Sequence, residues 1–156
     1  MKLDRTDRRI LDEMQRNARI SNLELADKIG LSPSPCSRRV KQLEDEGFIN
    51  RHVTLLNQAK LGLKLIAMVQ VSMDRHTPDR FENFESHVES WPEVLECYLI
   101  TGQTADYLLK VIIQDMEAYR AFLLDKLTRI EGVSGVQSSF VLRKTIDSTA
   151  LPLEIL

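Results

Sequence analysis

From Ser32 to Lys41 the chain reads SPSPCSRRVK, with three cations, Arg38, Arg39 and Lys41, and no acid; Glu44, Asp45 and Glu46 crowd the stretch that follows. Guanidinium and ammonium groups interleaved with the hydroxyls of Ser34 and Ser37 suit phosphate oxygens and base edges. On a helix, steps of about 100° per residue put Cys36, Val40 and Leu43 on one face and Ser34, Ser37, Arg38 and Lys41 on the other. Arg38 and Lys41 could read guanine edges or only phosphates. Arg39 falls nearer the core edge, as a phosphate clamp or in a structural ion pair. A solvated charged face is the plainer alternative, but the basic start and the tight glycine turn before it favour DNA.

A second set lies in ITGQTADYLLK. Gly102 supplies backbone freedom, Thr101 and Thr104 supply hydroxyls, and the Asp106 carboxylate could hold the ammonium of a small zwitterion. From the residues alone a plain hairpin accounts for this loop more readily. Catalysis has little to draw on. His52, His76 and His87 stand in separate segments, there is no phosphate-cradling glycine loop, and no Ser or Cys sits in a nucleophile setting. The chain reads as a binding protein and not an enzyme, with no metal or cofactor implied.

The elements that must position these groups follow from caps and periodicity. Asp4 or Asp7 can cap a first helix bearing Ile10, Leu11 and Met14, and Ser21 and Glu24 form an S-x-x-E capping box for a second, ending at Gly30. Pro33 and Pro35 then mark a helix start, where their missing N–H groups cost nothing, with Ser32 as cap and Gly47 as the stop. Only Gly30 and Leu31 separate the second helix from Ser32, which is helix-turn-helix spacing and makes the basic helix the recognition helix. FINRHVTLLN is rich in β-formers and reads as a wing or linking strand.

From residue 64 the period changes to alternation in KLIAMVQVSM. A helix opening at Thr77-Pro78, the strands VLECYLIT and DYLLKVIIQ, a helix opening at Asp115 and the strand VSGVQSSFVLRK complete a β-α-β-β-α-β order, the ferredoxin-like pattern. Its second sheet face carries apolar residues such as Leu108 and Ile112, which implies a dimer made by the sheets. The fold class is therefore α+β, with a winged helix-turn-helix domain over 1–50, a linker strand over 51–63 and a ferredoxin-like domain over 64–156.

Composition agrees. The 156 residues are 43% hydrophobic and 28% charged, ordinary for a globular protein. No apolar run reaches membrane-span length and the start is charged, so the expected location is the cytoplasm. Cys36 and Cys97 have no metal-ligand spacing and read as buried free thiols. The net charge of −2 conceals an asymmetry: residues 1–60 hold twelve Lys/Arg against nine Asp/Glu, residues 61–156 nine against fourteen. A localised basic face, not a diffuse polyanion binder, fits that balance.

Nearly end to end, through LDRTDRRIL, NARISNLELADKIGLSPSPCSRRVKQLEDEGFI, WPEVLECYLITG, DYLLKV and SSFVLRKTIDSTALPL, the chain resembles the Lrp/AsnC family of bacterial and archaeal transcription regulators. The resemblance implies a sequence-specific, amino-acid-responsive regulator of amino-acid metabolism, bound to double-stranded DNA in the nucleoid. It also implies dimerisation through the sheets, with assembly toward octamers. It places an amino acid near the T-G loop, with Thr101, Gly102, Asp106 and Tyr107 from one subunit and Ser138 and Ser139 from another. In the family two residues usually separate that glycine from the aspartate; here Gln103, Thr104 and Ala105 make three, which would bulge the loop and displace Asp106. The tail TALPL resembles members that control amino-acid catabolism. The alternative is an amino-acid sensing module that docks on another protein through its N-terminal helices.

Overall fold

A computed structural model describes residues 2–102 and 104–156, so Gln103 and its part in the lengthened loop lie outside the described residues. The chain forms two compact units, one of residues up to Leu55 together with Ile146–Leu156, the other Leu56–Thr145.

In the first unit, α1 (Arg5–Arg16) starts at Asp4, whose carboxylate accepts from Asp7 N at 2.8 Å while Asp7 accepts from Asp4 N at 3.0 Å. Two aspartates thus build the reciprocal capping box more often made by Ser and Glu. Helix α2 (Asn22–Ile29) opens on the Ser21–Glu24 box and closes on Gly30 at φ +76°. Helix α3 (Pro33–Asp45) follows at once, with Ser32 at the N-cap position but making no side-chain capping bond, Pro33 in its first turn, and Gly47 at φ +75° turning the chain away. Ile10, Leu25, Ala26, Ile29, Cys36 and Leu43 form its core.

The second unit runs β1 (Leu65–Met73), α4 (Pro78–Glu89), β2 (Val94–Leu99), β3 (Tyr107–Ile113), α5 (Met116–Asp125) and β4 (Val133–Phe140). The strands lie antiparallel in the order β2-β3-β1-β4, the ferredoxin-like arrangement. Val69 pairs with Leu109 on one side and Ser138 on the other, so these three share a face. That face buries Val69, Val71, Leu109 and Val111 against Phe84 and Val88 of α4 and Tyr119 and Phe122 of α5.

Several expectations need correction. No strand forms over 51–63, because a strand requires a second strand to take its backbone groups and this segment pairs with none among the described residues. Ile146–Leu156 groups with the helices and not with the sheet, held there by hydrogen bonds to α1 described below. The second sheet face is mixed and not simply apolar: Leu108 stands beside Gln70, and Lys110 pairs with Glu96 at 3.3 Å. Cys36 is buried, whereas Cys97 on the edge strand β2 is exposed. Among the described residues no helix is long and apolar enough to cross a membrane, and no group of three or more His, Cys, Asp or Glu could hold a metal.

Candidate nucleic-acid interface and effector loop

Five hydrogen bonds fix the end of α2 and the turn into α3. Gly30 N–H donates to Asp27 O at 3.2 Å and Leu31 N–H to Ala26 O at 2.9 Å, finishing α2 with a left-handed residue. Asn22 Nδ2 donates to Pro33 O at 2.9 Å, tying the start of α2 to the start of α3. Arg9 of α1 donates to Lys28 O at 2.8 Å and Ile29 O at 3.0 Å, satisfying carbonyls that the end of α2 leaves orphaned. Sequence reasoning missed Asn22 and Arg9, since a long polar side chain gives no local signal of which distant carbonyl it meets.

On α3 the hydrophobic side turns Cys36 and Leu43 inward, and Ser34, Ser37, Arg38 and Lys41 are all exposed on the opposite side. The structure brings those four together as expected. Arg39 departs from them. Its guanidinium lies 2.8 Å from Asp4 and 2.7 Å from Asp7, and Asp7 is the one buried charged residue described, 5% exposed. Of its two readings, the ion pair is the one realised; a buried carboxylate demands a cationic partner, and Arg39 supplies it from α3. The Asp7 backbone N–H and the Arg39 guanidinium hold the Asp4 carboxyl below its ordinary value of 3.8, and the same two carboxylates raise Arg39.

The loop between β2 and β3 is closed by Ile100 N–H donating to Asp106 O at 2.8 Å. Asp106 is doubly engaged: its carboxylate accepts from Met73 N at 2.7 Å and lies 2.8 Å from His76 Nε2. The β1–β4 register slips between Ser72 and Met73, so Asp106 satisfies a main-chain donor beside a β-bulge. Ser72 Oγ adds a bond to Thr104 O at 2.7 Å. Thr101 and Gly102 are exposed at the rim. Asp106, the carboxylate expected to meet a ligand ammonium, is in this structure a structural anchor, shared with a histidine that its place in the chain did not connect to it.

Tyr107 does not join this rim, and Ser138, expected from another subunit, turns to the helix side of its own sheet. Tyr107 is 1% exposed, packs on Phe84 with ring centroids 4.4 Å apart, and donates to Glu85 at 2.6 Å; burial and that carboxylate push its hydroxyl well above the usual tyrosine value. Ser138 shares the helix-side face with Val69 and bonds the Tyr119 hydroxyl. Both follow from strand alternation, which turns Ser139, exposed, to the opposite face. A cavity of about 420 Å³ between α4 and β2 contains Tyr107 alone of the candidates and is lined by Glu85, Glu89 and Glu96, an acidic setting that would repel the carboxylate of an amino acid.

Two family models match the chain: Winged helix-turn-helix DNA-binding over residues 3–50 and Lrp/AsnC ligand binding domain over residues 66–151. A leucine-responsive regulatory protein of Klebsiella pneumoniae is 43% identical over 97% of this chain and 92% of its own length. Among solved structures, a transcriptional regulator of Neisseria meningitidis in complex with L-Met superposes with TM-score 0.94 at 45% identity, over 99% of this chain and 100% of that one. An AsnC family transcriptional regulator of Agrobacterium tumefaciens gives 0.93 at 36% identity, covering 99% of each chain. All three of these relatives are regulators. With a helix-turn-helix that presents a basic stripe and a ferredoxin-like unit matching the ligand-binding model, this chain belongs to the Lrp/AsnC family of transcription regulators.

Proposed function

We propose that this regulator reads double-stranded DNA through Ser34, Ser37, Arg38 and Lys41 and answers to a small amino acid at the Thr101–Asp106 loop. The observation that carries the DNA reading is the division of labour on α3: Arg39 is spent on Asp4 and Asp7, while its neighbours face solvent on one stripe. Arg38 and Lys41 supply cations for phosphate or guanine, and the two serines supply short donors that let α3 approach the groove. A homodimer offers two such helices, so the operator is a degenerate palindrome with half-sites one helical turn apart or a multiple, roughly 10 bp each.

For the effector, Thr101, Gly102 and Asp106 form the rim in one subunit, with Ser139 contributed by another. Asp106 retains carboxylate lone pairs beyond those used by Met73 N–H and His76, and these accept the ligand ammonium. The Neisseria relative was solved with L-Met, which makes methionine the first amino acid to try, with leucine second. Assembly beyond the dimer, toward an octamer, and action at the cytoplasmic nucleoid complete the reading. The test is fluorescence anisotropy of the full chain on its own upstream DNA and a scrambled control, with and without a panel of L-amino acids. Preference for the native DNA shifted by one amino acid supports both halves. Equal binding to both DNAs overturns the recognition stripe, and specific binding that no amino acid shifts overturns the effector loop alone.

A further inference from the structure

The chain passes between its two units twice, after Leu55 and again after Thr145. The second passage leaves from β4, the strand that carries Ser139, and Val141 just beyond it still donates to Ile66 O at 2.9 Å. Where Ile146–Leu156 meets the helical unit it is held by its backbone. Leu151 N–H donates to Gln15 Oε1 at 2.8 Å and Gln15 Nε2 donates back to Leu151 O at 3.0 Å. One amide side chain thus supplies the reciprocal pair that a neighbouring strand would. Arg8 donates to Leu156 O, and Leu151 and Leu153 line a groove of about 560 Å³ with Leu11, Met14 and Phe48. The docking is shallow: Leu151 remains 68% exposed and Ile155 78%. A segment fixed by a few exposed hydrogen bonds and little apolar burial opens far more readily than a core element.

We infer that Ile146–Leu156 is a releasable strap that carries a change at β4 to α1 and so to DNA binding, an inference resting on the effector reading above. Coupling needs an element with two arrangements that both sites bias. With the strap docked, the chain leaving β4 is tied to α1 through a held segment; with it released, that tie is slack. Charge changes as well. Residues 1–55 hold eleven Lys/Arg against nine Asp/Glu, and the strap adds Asp147 and Glu154, so docking takes the helical unit from +2 to neutral. The released unit is the more basic and binds DNA more tightly. An amino acid bound beside β4 shifts DNA affinity by changing the docked fraction, no further than its differential affinity for the two states allows.

The test uses two full-length variants: Q15A removes the partner on α1, and L151P removes the N–H and the leucine side chain from the strap while changing no residue of the helices. Three readouts are taken: anisotropy on upstream DNA with and without L-Met or L-Leu, calorimetric binding of the same amino acids, and hydrogen exchange of residues 146–156. Both variants should bind the amino acid within twofold of wild type, bind DNA at least as tightly without it, and show less than a twofold amino-acid shift. In wild type, 146–156 should exchange more slowly than in either variant. A full-sized shift in both variants overturns the strap, as does loss of amino-acid binding, which would put the segment in the effector site. Free-chain exchange of 146–156 in wild type overturns it too. If neither amino acid shifts wild-type DNA binding, the effector reading fails at that step, and so does the strap as its relay; slow exchange would then leave only a structural tether.

Discussion

Arg38 and Arg39 are neighbours of one type with opposite employments, and the difference comes from one step of helical rotation. Arg38 faces outward, so R38A should weaken operator binding by about 1–3 kcal/mol if it reads a base, or lower the salt slope by about one if it contacts a phosphate. A titration at several salt concentrations decides between these, and wild-type affinity and slope together would remove Arg38 from the interface. Arg39 faces Asp7, and R39Q leaves that carboxylate without its cation. Because the Arg39 side chain is 34% exposed, solvent compensates part of the loss, and about 1–2 kcal/mol of stability is the expected cost, below the figure for a fully buried pair. Denaturant unfolding at neutral pH measures it. Acid should act on the same cluster through Asp4. Its folded pKa lies below the ordinary 3.8, so its contribution is fully present above that value and is lost as pH falls through the depressed folded pKa. D4N should therefore flatten the acid limb of the stability curve. An unchanged acid limb would show that neither the Asp7 N–H nor Arg39 favours the Asp4 carboxylate in solution.

At the scale of elements, the turn between α2 and α3 decides how the recognition helix is presented. Gly30 holds φ +76°, and a Cβ there would meet nothing within 4 Å. G30A should therefore cost about 1 kcal/mol from backbone conformation alone, with G30N milder, since asparagine tolerates the left-handed region better. Thermal melts of the two variants check the order; equal melting temperatures would mean that the turn relaxes. This turn was legible in sequence because a glycine, a capping box and a proline each carry a local physical reason. The β-α-β-β-α-β order was legible for the same cause, since period two and period 3.6 differ over a few residues. What the sequence hid was non-local. The resemblance puts Tyr107 at the effector loop and Ser138 in the contribution of another subunit, and strand alternation turns both to the helix side of the sheet. His76, just past the end of β1, meets Asp106 across thirty residues of sequence, a pairing that no local pattern announces. FINRHVTLLN has strand-forming composition, but pairing is a property of two segments, and composition describes one.

For the whole molecule, charge limits how DNA can be held. With its strap docked the helical unit carries no net charge, and the full chain carries −2, so diffuse attraction to a polyanion supplies little and a single recognition helix binds weakly. Useful affinity must come from several helices engaging one DNA, where the second contact forms at the effective concentration set by the first. The salt dependence then separates one helix from two. Each phosphate contact contributes about −0.9 to the slope of log K against log salt, so a palindrome engaging two helices should show twice the slope of a duplex with one half-site. Its affinity should be higher by about 10² or more if the dimer spans both half-sites without strain. Inserting about 5 bp between half-sites should return both quantities toward the half-site values, because it turns the second site to the opposite side of the helix. Equal slopes and affinities for the half-site and the palindrome would mean that one recognition helix does all the reading, and the dimeric operator would have to be abandoned.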